Sequence, residues 1–304
     1  TMSFRATLIN FLLRRTLKKM LIQQGADIPV LRQRLGASER ATGKPRVGVQ
    51  VETIDLDGLC LEKVVHDACT SQQAVLYFHG GGYVLAGSAG HIALAGRLSE
   101  LAGVAVYLVD YRLAPEHPFP AAVDDALKAY QGLLDRGYEA SNLILAGDSA
   151  GGGLAAATLL NLKNLGYAQP AAALLLSPWL DLSLSGDSMT RNDDQDVMLS
   201  TAVLTAWANA YLDGRDPLAP LASPIYGDLA GLAPILVHVG STEVLRSDAE
   251  DFVDRVIEQG GSAVLKVWDD LPHVFQVLLG RVPEAEDSIA LLAQYCIQQL
   301  KPKT

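Results

Sequence analysis

The chain has 304 residues, 49% of them hydrophobic and 19% charged, which suits one large α/β domain with a small accessory lid. With 24 basic residues against 34 acidic it carries a net charge of −10, and this argues against a nucleic-acid partner. Three cysteines, Cys60, Cys69 and Cys296, are odd in number and lack C-x-x-C spacing, as expected in a reducing cytoplasm, and no apolar run is long enough for an integral membrane span.

In chain order, Thr1 ahead of Met2 reads as an addition to the natural start. Phe4–Ile22 is both basic and apolar, with Arg14, Arg15, Lys18 and Lys19. Its apolar stretches are too short for a secretory core, so it is expected to fold as a lid helix over the site, with a membrane-surface helix as the alternative. Val47–Ile54 and Leu59–His66 read as an antiparallel pair turned at Asp57-Gly58. The apolar runs Ala74–Phe78, Val104–Val109, Leu143–Ala146, Ala172–Leu176, Ile235–Val239 and Ala263–Trp268 then alternate with helical patterns. Among these, Ala121–Leu134 stops at Gly137 and Asp248–Gln259 stops at Gly260-Gly261. Such alternation predicts a mostly parallel sheet with helices on both faces. The stretch between Leu176 and Ile235 is longer than a simple crossover needs. Inside it Ser200–Leu212 reads as a lid helix, whose Trp207 and Tyr211 either line a substrate pocket or pack the lid onto the core.

Two motifs carry the chemistry. Gly147-Asp148-Ser149-Ala150-Gly151 follows the apolar run Leu143–Ala146 and precedes a small-residue helix, Gly152–Leu165. That is the strand–nucleophile–helix elbow, in which larger side chains flanking the serine would collide with the strand or the helix. Upstream, Ala74–Phe78 runs into His79-Gly80-Gly81-Gly82. Consecutive glycines after a strand leave N–H groups free to point into a site, as an oxyanion hole requires. Together the motifs point to acyl transfer.

A serine nucleophile needs a base, and the base needs an orienting carboxylate. Of six histidines, His238 lies inside a strand run, His66 ends an early strand, and His79 is placed to brace the glycine loop. His91 and His117 stay as lesser candidates near the same sheet edge. His273, in Leu271-Pro272-His273-Val274-Phe275 just past the last strand, satisfies the order nucleophile, acid, histidine. The acid should follow Ile235–Val239, where Glu243, Asp248, Glu250 and Asp251 stand. Glu243 projects from the turn leaving the strand and reads as the triad acid. Asp248 reads as the cap of the next helix, where free N–H groups and the helix dipole favour a carboxylate.

These residues resemble the bacterial hormone-sensitive-lipase-like esterases of the α/β-hydrolase superfamily. The matches are His79–Tyr83, the long run Asp110–Pro120, Gly147–Gly152 and Ser177-Pro178-Trp179, and the resemblance covers the chain from about residue 45 onward. It implies the α/β-hydrolase fold: a central, mostly parallel eight-stranded sheet with helices on both faces and a helical cap. The implied division is N-terminal cap helices over 1–45, catalytic core over 46–182, a cap insertion over 183–222, and the rest of the core over 223–304. The resemblance also implies hydrolysis of short- to medium-chain acyl esters, with oxyanion N–H groups from Gly81, Gly82 and Ala150. Tyr83, Trp207 and Tyr211 are then expected to border the substrate. Where many relatives have an aspartate followed by Pro-Leu-Arg-Asp, this chain has Glu243-Val244-Leu245-Arg246-Ser247-Asp248, so the acid falls on a glutamate.

No cofactor and no metal are expected, and the expected partner is a small-molecule ester. Self-association, if any, is expected as a homodimer. Gly151–Ala156 also fits the dinucleotide pattern G-x-G-x-x-A, but it begins after the serine elbow and lacks the acidic residue that should follow. An amidase or deacetylase with the same triad, or a catalytically silent binding protein of this fold, stays open as an alternative.

Overall fold

The computed structural model describes residues 2–39, 47–69 and 71–300. The expected boundary at 45–46 lies outside the described residues. Its centre is an eight-stranded sheet: β1 (Val49–Leu56), β2 (Leu59–His66), β3 (Ala74–Phe78), β4 (Ala105–Val109), β5 (Leu143–Asp148), β6 (Ala172–Leu176), β7 (Ile235–Gly240) and β8 (Ala263–Trp268), in spatial order β1-β2-β4-β3-β5-β6-β7-β8. Only β2 runs against its neighbours, pairing antiparallel with β1 and β4, and every other pairing is parallel. The central strands are apolar without alternation because helices cover both faces, and all residues of β3, β4 and β6 are buried. β1 starts two residues later than the pattern suggested because Val47 and Gly48, at φ +80°, form a turn.

Three N-terminal helices, α1 (Phe4–Leu13), α2 (Lys19–Gln24) and α3 (Ile28–Glu39), precede the sheet, and a π-helical turn at Arg14–Lys18 joins the first two. Lys18 is buried in that turn, and its Nζ donates to the carbonyls of Asp193 and Asp196, which satisfies the ammonium away from water. Five helices then follow: α4 (Ala89–Ala102), α5 (Ala121–Asp135), α6 (Ala150–Asn164), the short α7 (Ser188–Arg191) and α8 (Thr201–Leu212). Two more, α9 (Arg246–Glu258) and α10 (Pro283–Gln299), complete the described chain. α4 and α10 have no counterpart in the sequence reading. The predicted lid helix is α8, with Ser200 as its N-cap accepting from the Val203 N–H, and with Asp213 closing it in the left-handed conformation. It meets the N-terminal segment directly: Trp207 Nε1 donates to the Gly25 carbonyl at 2.8 Å, and a Cβ at Gly25 would press on the Leu21 carbonyl and crowd Val203 of α8. Among the described residues no helix is long and apolar enough to cross a membrane.

Candidate active site

Ser149 stands between β5 and α6 with φ +54° and ψ −123°, a conformation that costs a non-glycine residue of order 1–3 kcal/mol and persists only where the surroundings impose it. Here they do. The Ser149 N–H donates to the Leu176 carbonyl at 2.8 Å and its carbonyl accepts from Trp179 N at 2.9 Å, which ties the elbow to the end of β6. A Cβ at Gly147 would press on the backbone of Gly151, and one at Gly151 on the carbonyls of Phe78 and His79. The flanking glycines thus let strand, turn and helix close upon each other.

Ala150 is the first residue of α6, so its N–H has no acceptor within the helix. Gly81 and Gly82 leave β3 at φ +117° and +62°, and among the described residues neither donates its N–H to another group of the protein. The Gly81 carbonyl instead accepts from Val84 and Leu85, turning the loop back on itself. A Cβ at Gly82 would lie against the Trp207 ring, and one at Gly80 against the Asp148 carboxylate.

Glu243 lies in the turn after β7 and is buried with His273. Because a carboxylate only accepts, the contact at 2.7 Å is His273 Nδ1–H donating to Glu243 Oε2, which leaves Nε2 as the basic nitrogen. The other oxygen, Oε1, accepts from Gly240 N and from Ser177 Oγ at 2.7 Å. Burial alone would push His273 down, but its bond to Glu243 and the charges of Glu243, Asp196 and Asp148 outweigh burial and hold it above 6.5.

Ser149, His273, Gly80, Gly81 and Trp207 line one cavity of about 670 Å³, roofed in part by Leu17 and Leu21 of the N-terminal segment. A buried serine in a strained elbow, a carboxylate-oriented histidine and the unpaired Gly81 N–H thus border one mainly apolar cavity, an arrangement of the kind acyl transfer requires.

Residues 75–277 match the α/β-hydrolase fold family. Over 249 residues, covering 82% of this chain and 83% of the relative, the sequence is 40% identical to a protein of Streptomyces hygroscopicus named acetyl-hydrolase. An Acinetobacter venetianus protein named esterase is 36% identical, over 81% of this chain and 82% of its own. A crystal structure described as an esterase of the bacterial hormone-sensitive lipase family superposes with TM-score 0.91 at 36% identity, covering 99% of this chain and 100% of that one. The chain belongs to the bacterial hormone-sensitive-lipase-like family of α/β-hydrolases.

The other expected residues divide. Trp207 lines the cavity, whereas Tyr83 and Tyr211 stack on each other at 3.8 Å, fully buried and outside its lining. The left-handed φ of +63° at Tyr83 swings its ring under α8 instead of into the site. Asp248 is not the cap of α9: the N-cap is Leu245, and Asp248 lies inside the first turn. Its Oδ2 accepts from Leu180 N at 2.8 Å and Asp181 N at 2.9 Å, so it anchors the chain after β6, and burial pushes its carboxyl well above the usual range. His79 donates from Nδ1 to the Gly80 carbonyl at 2.7 Å and stacks on Tyr111, and burial lowers it to about 4, so it is neutral at pH 7. His238 contacts Ser288 Oγ at 2.8 Å, away from the cavity, and burial lowers it to about 3. His117 is exposed at the cavity rim.

Several supporting groups escaped the sequence reading. Asp148, beside Ser149, accepts from Tyr77 Oη at 2.9 Å and meets His91 Nε2 at 3.0 Å. Burial raises this carboxyl, but the contacts with His91 and Tyr77 outweigh burial and hold it low. Ser177 Oγ bridges Glu243 and the Val274 N–H, joining the acid loop to the histidine loop. The insertion grips the acid loop as well. Asn192 Nδ2 donates to the Glu243 carbonyl at 2.8 Å, Asp196 Oδ2 accepts from Val244 N at 3.0 Å, and Ser188 bonds both Val244 and Ser247. The only early signal for these was their clustering in Asp187–Asp196, a polar stretch inside an otherwise apolar insertion.

Proposed function

We propose that the chain is a serine carboxylesterase that cleaves short- to medium-chain acyl esters through an acyl-enzyme. The observation that carries this reading is the 2.7 Å contact from His273 Nδ1 to Glu243, made beside the strained Ser149 in one cavity. In acylation His273 Nε2 takes the Ser149 proton as Oγ attacks the ester carbonyl. The oxyanion forms among the N–H groups of Gly81, Gly82 and Ala150, a pre-set arrangement in which one donor is worth about 3–4 kcal/mol. Glu243 stabilises the imidazolium until its proton passes to the departing alcohol. Water then attacks the acyl carbon by the same route, and Ser149 is regenerated.

A cavity of about 670 Å³ closed by Leu17, Leu21 and Trp207 fits a dissolved ester of modest size, and the named relatives include an acetyl-hydrolase. We read residues 1–45 and 183–222 as the cap that closes it. The unpaired Cys60, Cys69 and Cys296 support a reducing cytoplasm.

The test is a chain-length series of activated esters alongside anilides, with wild type and Ser149→Ala, plus an organophosphate label. Hydrolysis of acetyl to hexanoyl esters, lost in the alanine variant, with label on Ser149, is expected. Label on another serine, or substantial activity in the variant, overturns the assignment.

A further inference from the structure

The N-terminal segment has two apolar faces, and the catalytic cavity uses one of them. Ala6, Ile9, Leu17 and Leu21 turn inward. On the opposite side Phe4 is 83% exposed, Leu8 and Phe11 50%, Leu12 49% and Ile22 56%. The spacing of Phe4, Leu8, Phe11 and Leu12 places them on one side of α1, and so large a contiguous apolar face on a soluble domain marks an interaction surface. Its charge is the reverse of the chain's. Residues 2–26 contain Arg5, Arg14, Arg15, Lys18 and Lys19 and no acidic residue, within a molecule of net charge −10. Arg5, Arg15 and Lys19 are exposed, and the Arg15 guanidinium lies over the Phe11 ring at 4.3 Å. Asp194 borders the groove formed by Arg14, Arg15, Lys19 and Ile22, and the face stays basic on balance.

We propose that this outer face of Phe4–Ile22 docks on an anionic lipid bilayer. Phe4, Leu8, Phe11 and Leu12 enter the boundary of the acyl chains while Arg5, Arg15 and Lys19 meet the headgroups. An interfacial helix of this kind binds through buried apolar area plus attraction to anionic lipid, and both are present on one face. A second copy is the poorer occupant, since pairing this face with itself would bring the cations of two copies together with no acidic residue of 2–26 to offset them. Docking would also hold the roof of the cavity, built on the inner face of the same segment, against the bilayer.

The full chain is sedimented with phosphatidylglycerol–phosphatidylcholine vesicles and with pure phosphatidylcholine vesicles. Binding to the anionic vesicles alone is expected, falling as salt rises from about 0.1 M to about 1 M, where the screening length drops to about 3 Å. Phe4→Ser/Leu8→Ser/Phe11→Ser should bind at least about tenfold more weakly, and Arg15→Gln/Lys19→Gln about twenty-fivefold more weakly, roughly fivefold per cation. None of these side chains lines the cavity, so hydrolysis of a soluble ester should be unchanged in both variants. No binding by the wild type, equal binding to both vesicle types, or unaltered binding by the triple variant overturns the proposal. So does a wild-type dimer in light scattering that the triple variant converts to monomer, since a second copy would then cover the face.

Discussion

Replacing Glu243 by glutamine changes one atom, and the local hydrogen bonds dictate its consequence. The side-chain oxygen must stay where Oε1 is, because that position accepts from the Gly240 N–H, which can only donate. The new NH2 then faces His273 Nδ1, now 2.7 Å from Oε2. Two donors cannot share that contact, so the imidazole moves its proton to Nε2, the nitrogen that must receive the serine proton. Loss of the charge removes stabilisation of the imidazolium as well. A triad-acid replacement of this type lowers kcat by on the order of 10³–10⁴, or about 4–5.5 kcal/mol of barrier. Asp248→Asn is the control. Its oxygen can keep accepting from Leu180 N and Asp181 N, and a carboxyl whose ionisation burial already opposes loses little as an amide. It should keep kcat within a few-fold, at a cost of about 1 kcal/mol and roughly a 2 °C fall in Tm. Steady-state kinetics and a thermal melt of both variants decide the matter. A thousandfold loss in Asp248→Asn with an active Glu243→Gln would refute the reasoning.

Three further outcomes follow from the same geometry. His273 must be neutral to act, and it is held above 6.5, so the acid limb of kcat/KM should have its midpoint above 6.5 and should move down in Glu243→Gln; a wild-type midpoint below 6 contradicts the pairing. Stability runs the other way: with a raised folded pKa, the His273 contribution is complete below about 6.5 and is lost as pH climbs through the folded value, which melts of wild type and Glu243→Gln across pH 5–9 should resolve. Gly82→Ala puts a Cβ at φ +62° against the Trp207 ring and should lower kcat by about 10²–10³ through displacement of an oxyanion donor; an alanine variant of normal kcat would remove Gly82 from the hole.

The sheet was readable because its central strands are short apolar runs bounded by turns, and the two antiparallel strands because Asp57-Gly58 separates them. The positions of Ser149 at the end of β5 and of His273 in the loop past β8 were readable because each follows an apolar strand directly. What escaped depends on partners remote in sequence. Asp248 has the local pattern of a helix cap, yet its bonds reach Leu180 and Asp181, nearly seventy residues away. Likewise nothing around Ser177 forecasts that it bridges Glu243 and Val274. Tyr83 and Tyr211 sit in segments that approach the site, and the left-handed backbone at Tyr83 together with their mutual stacking turns them from it. α10, with Ile289 and Leu292 buried, lacks the sharp glycine stop that marked α5 and α9, whereas α4, with Leu94 and Leu98 buried, does end at Gly103 in the left-handed conformation.

The insertion between β6 and β7 combines two parts that differ in how freely they can change. Asp187–Asp196 is fastened to the loop bearing Glu243 through Ser188, Asn192 and Asp196, while α8 beyond its first residue rests on apolar packing and two outside bonds, from Trp207 Nε1 to the Gly25 carbonyl and from Phe119 N to the Tyr211 carbonyl. A chimera that exchanges α8 for another helix should therefore alter which esters enter and leave the acid in register. One that exchanges the whole insertion would carry off the polar staples of the loop bearing Glu243, and its loss of turnover would be mistaken for a change of specificity. The seam for grafting lies just past Thr201, which follows the Ser200 cap and bonds back to Asp193 and Met189.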